Sequence, residues 1–273
     1  MSQFDGYLAG PYAPSATRAL VTGGSSGIGR DVALMLAAAG VEVHVLGRRL
    51  ERLEETAAMA GPGTTVVPHA ADVRDAAAVE AAFTAAEAGG PVELLVNAAG
   101  GAFLAHAEDI SPNGFATVVA SSLTGPFHVL RRWARPLIEA GRSGSALLVT
   151  SALAAREVPG AAHSSAAKAG LEALIRSLAV EWGPKGLRVN ALAPGAFETE
   201  GATEGMWSEP NVRSSALAAI PMGRFGRPEE LIGAAAFLVS RAATYINGAT
   251  VVVDGGWHLS GYPFGDVFPA RGR

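Results

Sequence analysis

Thr22-Gly23-Gly24-Ser25-Ser26-Gly27-Ile28-Gly29 decides how the rest of the chain is read. Before it, Arg18-Ala19-Leu20-Val21 is a short run of the kind that forms a buried strand. After it, Arg30 to Leu36 reads as a helix: Ile28, Val32, Met35 and Leu36 share helical spacing, and Gly40 is placed to stop the run. A strand, a glycine turn and a helix start make an anion site. Glycine lets the backbone approach a phosphate, and the first helical N–H groups point at it with the helix dipole behind them. The glycines at 23, 27 and 29 do not follow the G-x-G-x-x-G spacing of the common dinucleotide turn. The competing reading is a glycine turn that binds nothing.

The composition narrows the class. A chain of 273 residues fits one large α/β domain or two small ones. With 49% hydrophobic and 17% charged residues, it holds enough apolar material for a sizeable core. The net charge of −4 and the lack of a long basic run argue against nucleic acid as a partner. There is no cysteine, so disulfides and thiolate chemistry are excluded. The six histidines have no metal-ligand spacing, and no metal is expected. No run of 18 apolar residues occurs, and residues 1–17 lack a signal-peptide core. The expectation is a soluble cytoplasmic protein, with no membrane partner, carrying an irregular arm over residues 1–17.

Downstream, strands and helices alternate. Residues 41–46 read as a second strand ending at Gly47-Arg48-Arg49, and 64–69 as a third. Residues 75–88 read as an alanine-rich helix, and 92–96 as a fourth strand ending in Asn97-Ala98-Ala99-Gly100. A long helix is expected over 113–140, a fifth strand over 146–151 and a helix over 164–182. Residues 187–192 form a sixth strand running into Pro194-Gly195, and 249–254 a seventh running into Gly255-Gly256. This alternation predicts a single α/β domain over 18–256: one doubly wound parallel sheet of about seven strands, with helices on both faces. Residues 257–273 are left as an irregular tail, its aromatics suited to packing on a neighbouring subunit or over the site.

The end of the second strand bears on the cofactor. A dinucleotide fold that prefers NAD usually places a carboxylate there to accept from the ribose. This chain has Gly47 and two arginines. A guanidinium grips a 2′-phosphate with two parallel hydrogen bonds, so NADP(H) is favoured over NAD(H). Alternatively, Arg48 and Arg49 simply pair with Glu51, Glu54 or Glu55 on the next helix.

Five separated motifs now agree: T-G-x-x-x-G-I-G, Asp72-Val73, Asn97-Ala98-Ala99-Gly100, Pro194-Gly195 and Asp254-Gly255-Gly256. In order and spacing the chain resembles the short-chain dehydrogenase/reductase family, which implies a Rossmann-type fold. Ile110-Ser111-Pro112-Asn113, Thr199-Glu200-Gly201, residues 179–183 and 246–249 resemble its 2,4-dienoyl-CoA reductase branch. The resemblance implies a cofactor cradle of Gly23, Ser25, Ser26, Gly27, Ile28, Gly29, Arg48, Arg49, Asp72, Val73, Asn97, Ala98, Gly100, Lys168, Pro194 and Gly195. Asp72-Val73 would hold the adenine. The resemblance also implies a homo-oligomer, dimer or tetramer, built through the helices near 113–140 and 164–182.

The family's Asn, Ser, Tyr and Lys are only half present. Lys168 and Ser151 match, but Ser164 stands at the Tyr position and Ser122 at the Asn position. Tyrosine occurs only at 7, 12, 245 and 262, and the upstream stretch 152–155 supplies none. A serine hydroxyl is a far poorer acid than a phenol of pKa about 10. Proton delivery to a ketone oxygen is therefore disfavoured. Reduction of a conjugated C=C needs hydrogen-bond donors at the enolate oxygen, which Ser151, Ser164 and Lys168 supply, while water protonates carbon. His163 and His106 are the nearby candidates for a replacement acid, against the alternative of packed or solvated histidines.

A substrate lid is expected over 197–222, with Phe197, Met206, Trp207, Leu217 and Ile220 as apolar contacts or local core. Its carboxylates at 198, 200, 204 and 209, with Glu108-Asp109, oppose a CoA polyanion and favour a small apolar carbonyl-conjugated substrate. The leading expectation is an NADP(H)-dependent reductase of an enone or enoyl substrate. Two others stand beside it: a cofactor-binding protein without redox turnover, and a non-redox dehydratase or cyclase on the same scaffold.

Overall fold

Seven strands form the sheet: β1 (Arg18–Thr22), β2 (Glu42–Gly47), β3 (Val66–Ala70), β4 (Leu94–Asn97), β5 (Gly144–Val149), β6 (Leu187–Pro194) and β7 (Thr250–Val253). This is a computed structural model, and it describes residues 10–14, 16–154, 159–198 and 210–260. The strands run parallel in the order β3-β2-β1-β4-β5-β6-β7. The expected seven-stranded parallel sheet is therefore observed. Strand order reverses between β1 and β4, whose register pairs Thr22 with Asn97. The carboxyl ends of those two strands open a crevice where open α/β sheets bind ligands.

Helices cover both faces. On one lie α1 (Gly27–Ala38) and α8 (Pro228–Val239), on the other α3 (Ala76–Ala86), α5 (Gly125–Glu139) and α6 (Ala162–Trp182). Three shorter helices are α2 (Leu50–Ala58), α4 (Pro112–Val119) and α7 (Pro210–Ala219). Each face has its own core, because side chains alternate across a strand. Val43 and Val45 of β2 join Val32, Met35 and Leu36 of α1, whereas Leu46 joins Phe83, Leu130 and Trp133 opposite.

The expected helix over 113–140 is interrupted. Ala120–Thr124 forms a π-helical turn between α4 and α5. Pro126 explains its position: it has no N–H to donate, and its ring crowds the carbonyl four residues back, which belongs to Ser122. The turn thus falls on a candidate catalytic residue. The fifth strand also ends early, at Val149; Thr150 N–H still donates to Leu192 O of β6 at 2.8 Å, and Ser151 follows beyond it.

At the termini, Gly10–Tyr12 forms a 3₁₀ turn, and Arg241 N–H donates to Ala13 O at 3.2 Å. This part of the arm is docked rather than irregular. Asp254 organises the other end by accepting from Gly256 N–H at 2.9 Å and His258 N–H at 2.6 Å. Trp257 is buried with Ala216, Ile220 and Phe225, so this tail aromatic packs against α7. Tyr262, Phe264 and Phe268 lie outside the described residues.

Candidate active site

The glycine turn closes the crevice through its own backbone. Gly23 has φ +70°, and a Cβ there would lie 2.7 Å from the Ala98 backbone. A Cβ on Gly29 would overlap the Gly23 carbonyl. Both positions therefore require glycine for close packing of β1, β4 and α1. Two groups fix the turn that the motif alone does not reveal: Thr56 Oγ1 donates to Gly24 O at 2.9 Å, and Arg30 Nη2 donates to Ser25 O at 2.6 Å. Ser26 sits at the N-cap of α1, yet its side chain caps nothing. The first N–H groups of a helix lack partners within it, and here they open onto the crevice.

That crevice, about 300 Å³, is lined by Gly23, Ser25, Ser26, Ile28 and Gly29, by Arg48 and Arg49, and by Val73, Ala98, Gly100 and Val149. Of the expected cradle, Gly27, Asp72, Asn97, Lys168, Pro194 and Gly195 are not part of this lining. Arg48 and Arg49 form no hydrogen bond or ion pair among the described residues; Glu55 is bound by Arg52 at 3.0 Å. The two guanidiniums are therefore available at the rim, and no carboxylate is among the described lining residues. Asp72 is gripped by Arg74, with Nη2 to Oδ2 at 2.6 Å, which holds its carboxyl below the usual range.

Asn97 is fully buried. Its Oδ1 accepts from Thr22 Oγ1 at 2.8 Å, and Thr22 Oγ1 accepts from Ala99 N–H at 3.2 Å. Its Nδ2 has no partner among the described residues. An orphaned buried donor behind the crevice, an uncapped helix start and two unpaired guanidiniums all suit a polyanionic dinucleotide. Pro194-Gly195 lies two strands away, where Gly195 N–H donates to Val253 O at 2.9 Å and packs on Asp254.

Two of the expected catalytic residues meet beside Gly100. A Cβ there would sit 3.4 Å from Ser122 Oγ and 3.5 Å from Lys168 Nζ, so the π-turn serine and the α6 lysine converge on one point. Lys168 Nζ donates to Val149 O at 2.8 Å. As a whole the residue is half-buried. Burial pushes its pKa down to about 8, opposed by Glu172. Glu172 accepts from Thr150 Oγ1 at 3.1 Å. A glutamate one helical turn after the lysine was legible in the sequence as an i, i+4 pair but points here inward to the site. Ser151 follows the end of β5, half-buried, and Ser164 is buried one turn before Lys168.

The two histidine candidates separate. His106 is exposed and precedes the 3₁₀ turn Ala107–Asp109, so it lies on the surface. His163 is completely buried under Phe103. Tyr12 sits on the Arg241–Ala243 side of the molecule and Tyr245 is fully exposed, so neither replaces the missing phenol. In the lid, Phe197 and Ile220 are buried core and Leu217 is exposed, while 199–209, with Met206 and Trp207, lie outside the described residues. Glu198 pairs with Arg213, which offsets one lid carboxylate.

A larger cavity, about 770 Å³, lies at the opposite sheet edge. Its two arginines are already engaged: Arg142 with Glu93 at 2.6 Å, and Arg188 with Ile246 O at 3.1 Å and Ser145 Oγ at 3.0 Å. It contains none of the candidate residues, so size does not mark the site here.

Residues 23–258 match the family described as Enoyl-(Acyl carrier protein) reductase. The chain is similar to a Bacillus subtilis protein named "Probable 2,4-dienoyl-CoA reductase [(2E)-enoyl-CoA-producing]": 40% identity over 90% of this chain and 98% of the relative. Among solved structures, a short chain dehydrogenase from Bacillus anthracis is 36% identical, covering 90% of this chain and 98% of its own, with a TM-score of 0.82. A gluconate 5-dehydrogenase from Burkholderia cenocepacia, solved with NADP and tartrate, is 30% identical over 95% of this chain and 100% of its own, with a TM-score of 0.85. Among the described residues, no helix is long and apolar enough to cross a membrane.

Proposed function

Because the chain belongs to the short-chain dehydrogenase/reductase family, we propose that it is an NADP(H)-dependent reductase of a conjugated C=C bond in an enone or enoyl substrate, working without a tyrosine acid. The observation that carries the cofactor preference is the pair of guanidiniums, Arg48 and Arg49, unpaired among the described residues, on a rim with no carboxylate among its described lining residues. The solved relative holding NADP supports the same reading.

The cofactor, when bound, supplies a hydride. The uncapped start of α1 would hold its phosphates, and the two arginines would grip the 2′-phosphate. Lys168, fixed by the Val149 carbonyl, steadies the nicotinamide ribose. Ser151, Ser164 and Ser122 offer donors to the substrate carbonyl oxygen, where negative charge gathers as hydride reaches the far carbon. Water then protonates the adjacent carbon, so the C=C gains one hydride and one proton and the cofactor is left oxidised. No hydroxyl is required to act as an acid at oxygen. Resemblance to the dienoyl-CoA reductase relative supports the substrate class. The lid carboxylates favour a small apolar substrate over a CoA thioester.

We further infer a cytoplasmic homo-oligomer. The exposed Phe115 on α4 and Phe127 on α5 support contact through those helices. A second reading, cofactor binding without turnover, draws on the loss of both Tyr and Asn from the catalytic set. The test is NADPH consumption, followed by its absorbance, across a panel of enones, enoyl thioesters and saturated ketones. The reductase reading expects turnover with the conjugated members only. Binding of NADPH with no member consumed supports the second reading.

A further inference from the structure

His163 occupies the opening turn of α6, directly before Ser164 and five residues before Lys168. Its side chain is completely buried, and neither ring nitrogen has a hydrogen-bond partner among the described residues. A neutral imidazole carries one N–H and one lone pair, so two polar functions are unmet in the interior. Native proteins rarely leave such a group alone unless a partner arrives from elsewhere.

What covers the ring is apolar and superficial. The Phe103 ring lies 4.4 Å away, centroid to centroid, tilted by 57°. Phe103 is itself 45% exposed. It also rests on α4, where a Cβ on Gly114 would come within 3.3 Å of the ring. Residues 100–106 have no regular secondary structure. At one end, Gly100 abuts Ser122 and Lys168; at the other, Ala105 N–H donates to Gly160 O at 3.1 Å. The segment therefore runs from the reaction centre to the cover over His163. An exposed phenyl over an unsatisfied imidazole is an arrangement that a substrate can replace with profit to both groups. The phenyl moves between solvent and an apolar acyl chain, and the imidazole gains an oxygen acceptor.

We propose that His163 is a substrate-contacting residue: as substrate enters, Phe103 gives way and the substrate carbonyl oxygen accepts a hydrogen bond from the His163 N–H. The contact strengthens as negative charge gathers on that oxygen, so it acts on turnover and not on cofactor binding. This rests on the C=C reductase reading. The rival account, a permanently trapped water on His163, predicts the opposite outcome below.

The test compares wild type, His163→Phe and His163→Gln. NADPH consumption is followed with cyclohex-2-enone and hexa-2,4-dienoyl-CoA, and NADPH affinity is measured by calorimetry. Phe fills the same chamber without polar atoms, so the variant binds NADPH as wild type does. Its kcat/KM falls about 100-fold, and His163→Gln, which keeps an N–H donor, recovers part of the loss. In wild type with NADP, the ¹⁵N resonances of the His163 ring shift on adding cyclohex-2-enone. A His163→Phe kcat/KM within about twofold of wild type overturns the proposal. So do unshifted ring resonances at saturating enone, which decide the matter even where His163→Phe does not fold. Wild type that consumes no NADPH with either substrate refutes the reductase reading instead, and the resonance shift then tests His163 as a binding contact by itself.

Discussion

The two ends of the crevice differ in completeness. At the β1–β2 end, the elements proposed to cradle the cofactor lie together: the Gly23 and Gly29 contacts, the uncapped start of α1 and the arginines after β2. At the α6 end, the lysine and one serine remain, while serines fill the other two catalytic positions on a buried turn and a π-bulge. The difference teaches that cofactor binding and proton delivery are separable demands on this fold. A cradle made of main chain tolerates no substitution, because a single Cβ collides with backbone. An acid made of one side chain can be dispensed with when the chemistry moves the proton from oxygen to carbon.

The sharpest way to break this comparison is Gly29→Ala. The added Cβ overlaps the Gly23 carbonyl, so the turn must open. The expected outcome is loss of NADPH binding heat in calorimetry and a lowered melting temperature. Next is Lys168→Met, which removes the fixed ammonium at the reaction end; kcat/KM falls about 10²–10³-fold, with an unchanged circular dichroism spectrum. Third, Arg48→Ala combined with Arg49→Ala lowers NADPH affinity at least about tenfold, at about 1.5–3 kcal/mol per charged hydrogen bond, and leaves NADH affinity unchanged. Equal losses for both cofactors would place the arginines in a structural role.

The pH dependence divides activity from stability. Lys168 carries a pKa lowered from 10.5 to about 8 by burial. The ammonium is lost as pH rises through about 8, so kcat/KM declines on that limb. Stability moves the other way. Between about 8 and 10.5 the unfolded chain holds a proton that the folded protein has shed, so this group's penalty, full below about 8, is relieved as pH rises. Lys168→Met abolishes that pH-dependent gain, read from melting temperatures across the range. The smallest effect is expected from Ser164→Ala: a neutral hydrogen bond contributes about 0.5–1.5 kcal/mol, so kcat/KM falls about twofold to tenfold.

The sheet and its crevice were legible because alternating apolar runs and glycine positions are local signals, and the backbone obeys them. The arginine pair was legible as charge, but its freedom was not. Glu55 could have claimed either arginine, and only the fold shows Arg52 taking it. The π-turn at Ala120–Thr124 was obscured because helical periodicity reads straight through it, although Pro126 was the available signal. The clamp of Arg30 and Thr56 on the glycine turn joins residues 26 apart in sequence, and no periodicity encodes it. His163 shows the same limit: a histidine beside Ser164 looks available for chemistry, and only packing reveals that Phe103 shuts it away.

The central claim is that an intact NADP(H) cradle here serves a reaction needing no phenolic acid. Its most direct measurement is a product analysis after incubation of the protein with NADPH and an enone, beside the corresponding saturated ketone. The account predicts a saturated ketone from the enone, formed one-for-one with oxidised cofactor, and no alcohol from either compound. Formation of an alcohol, or a bound cofactor that is never consumed, would contradict it.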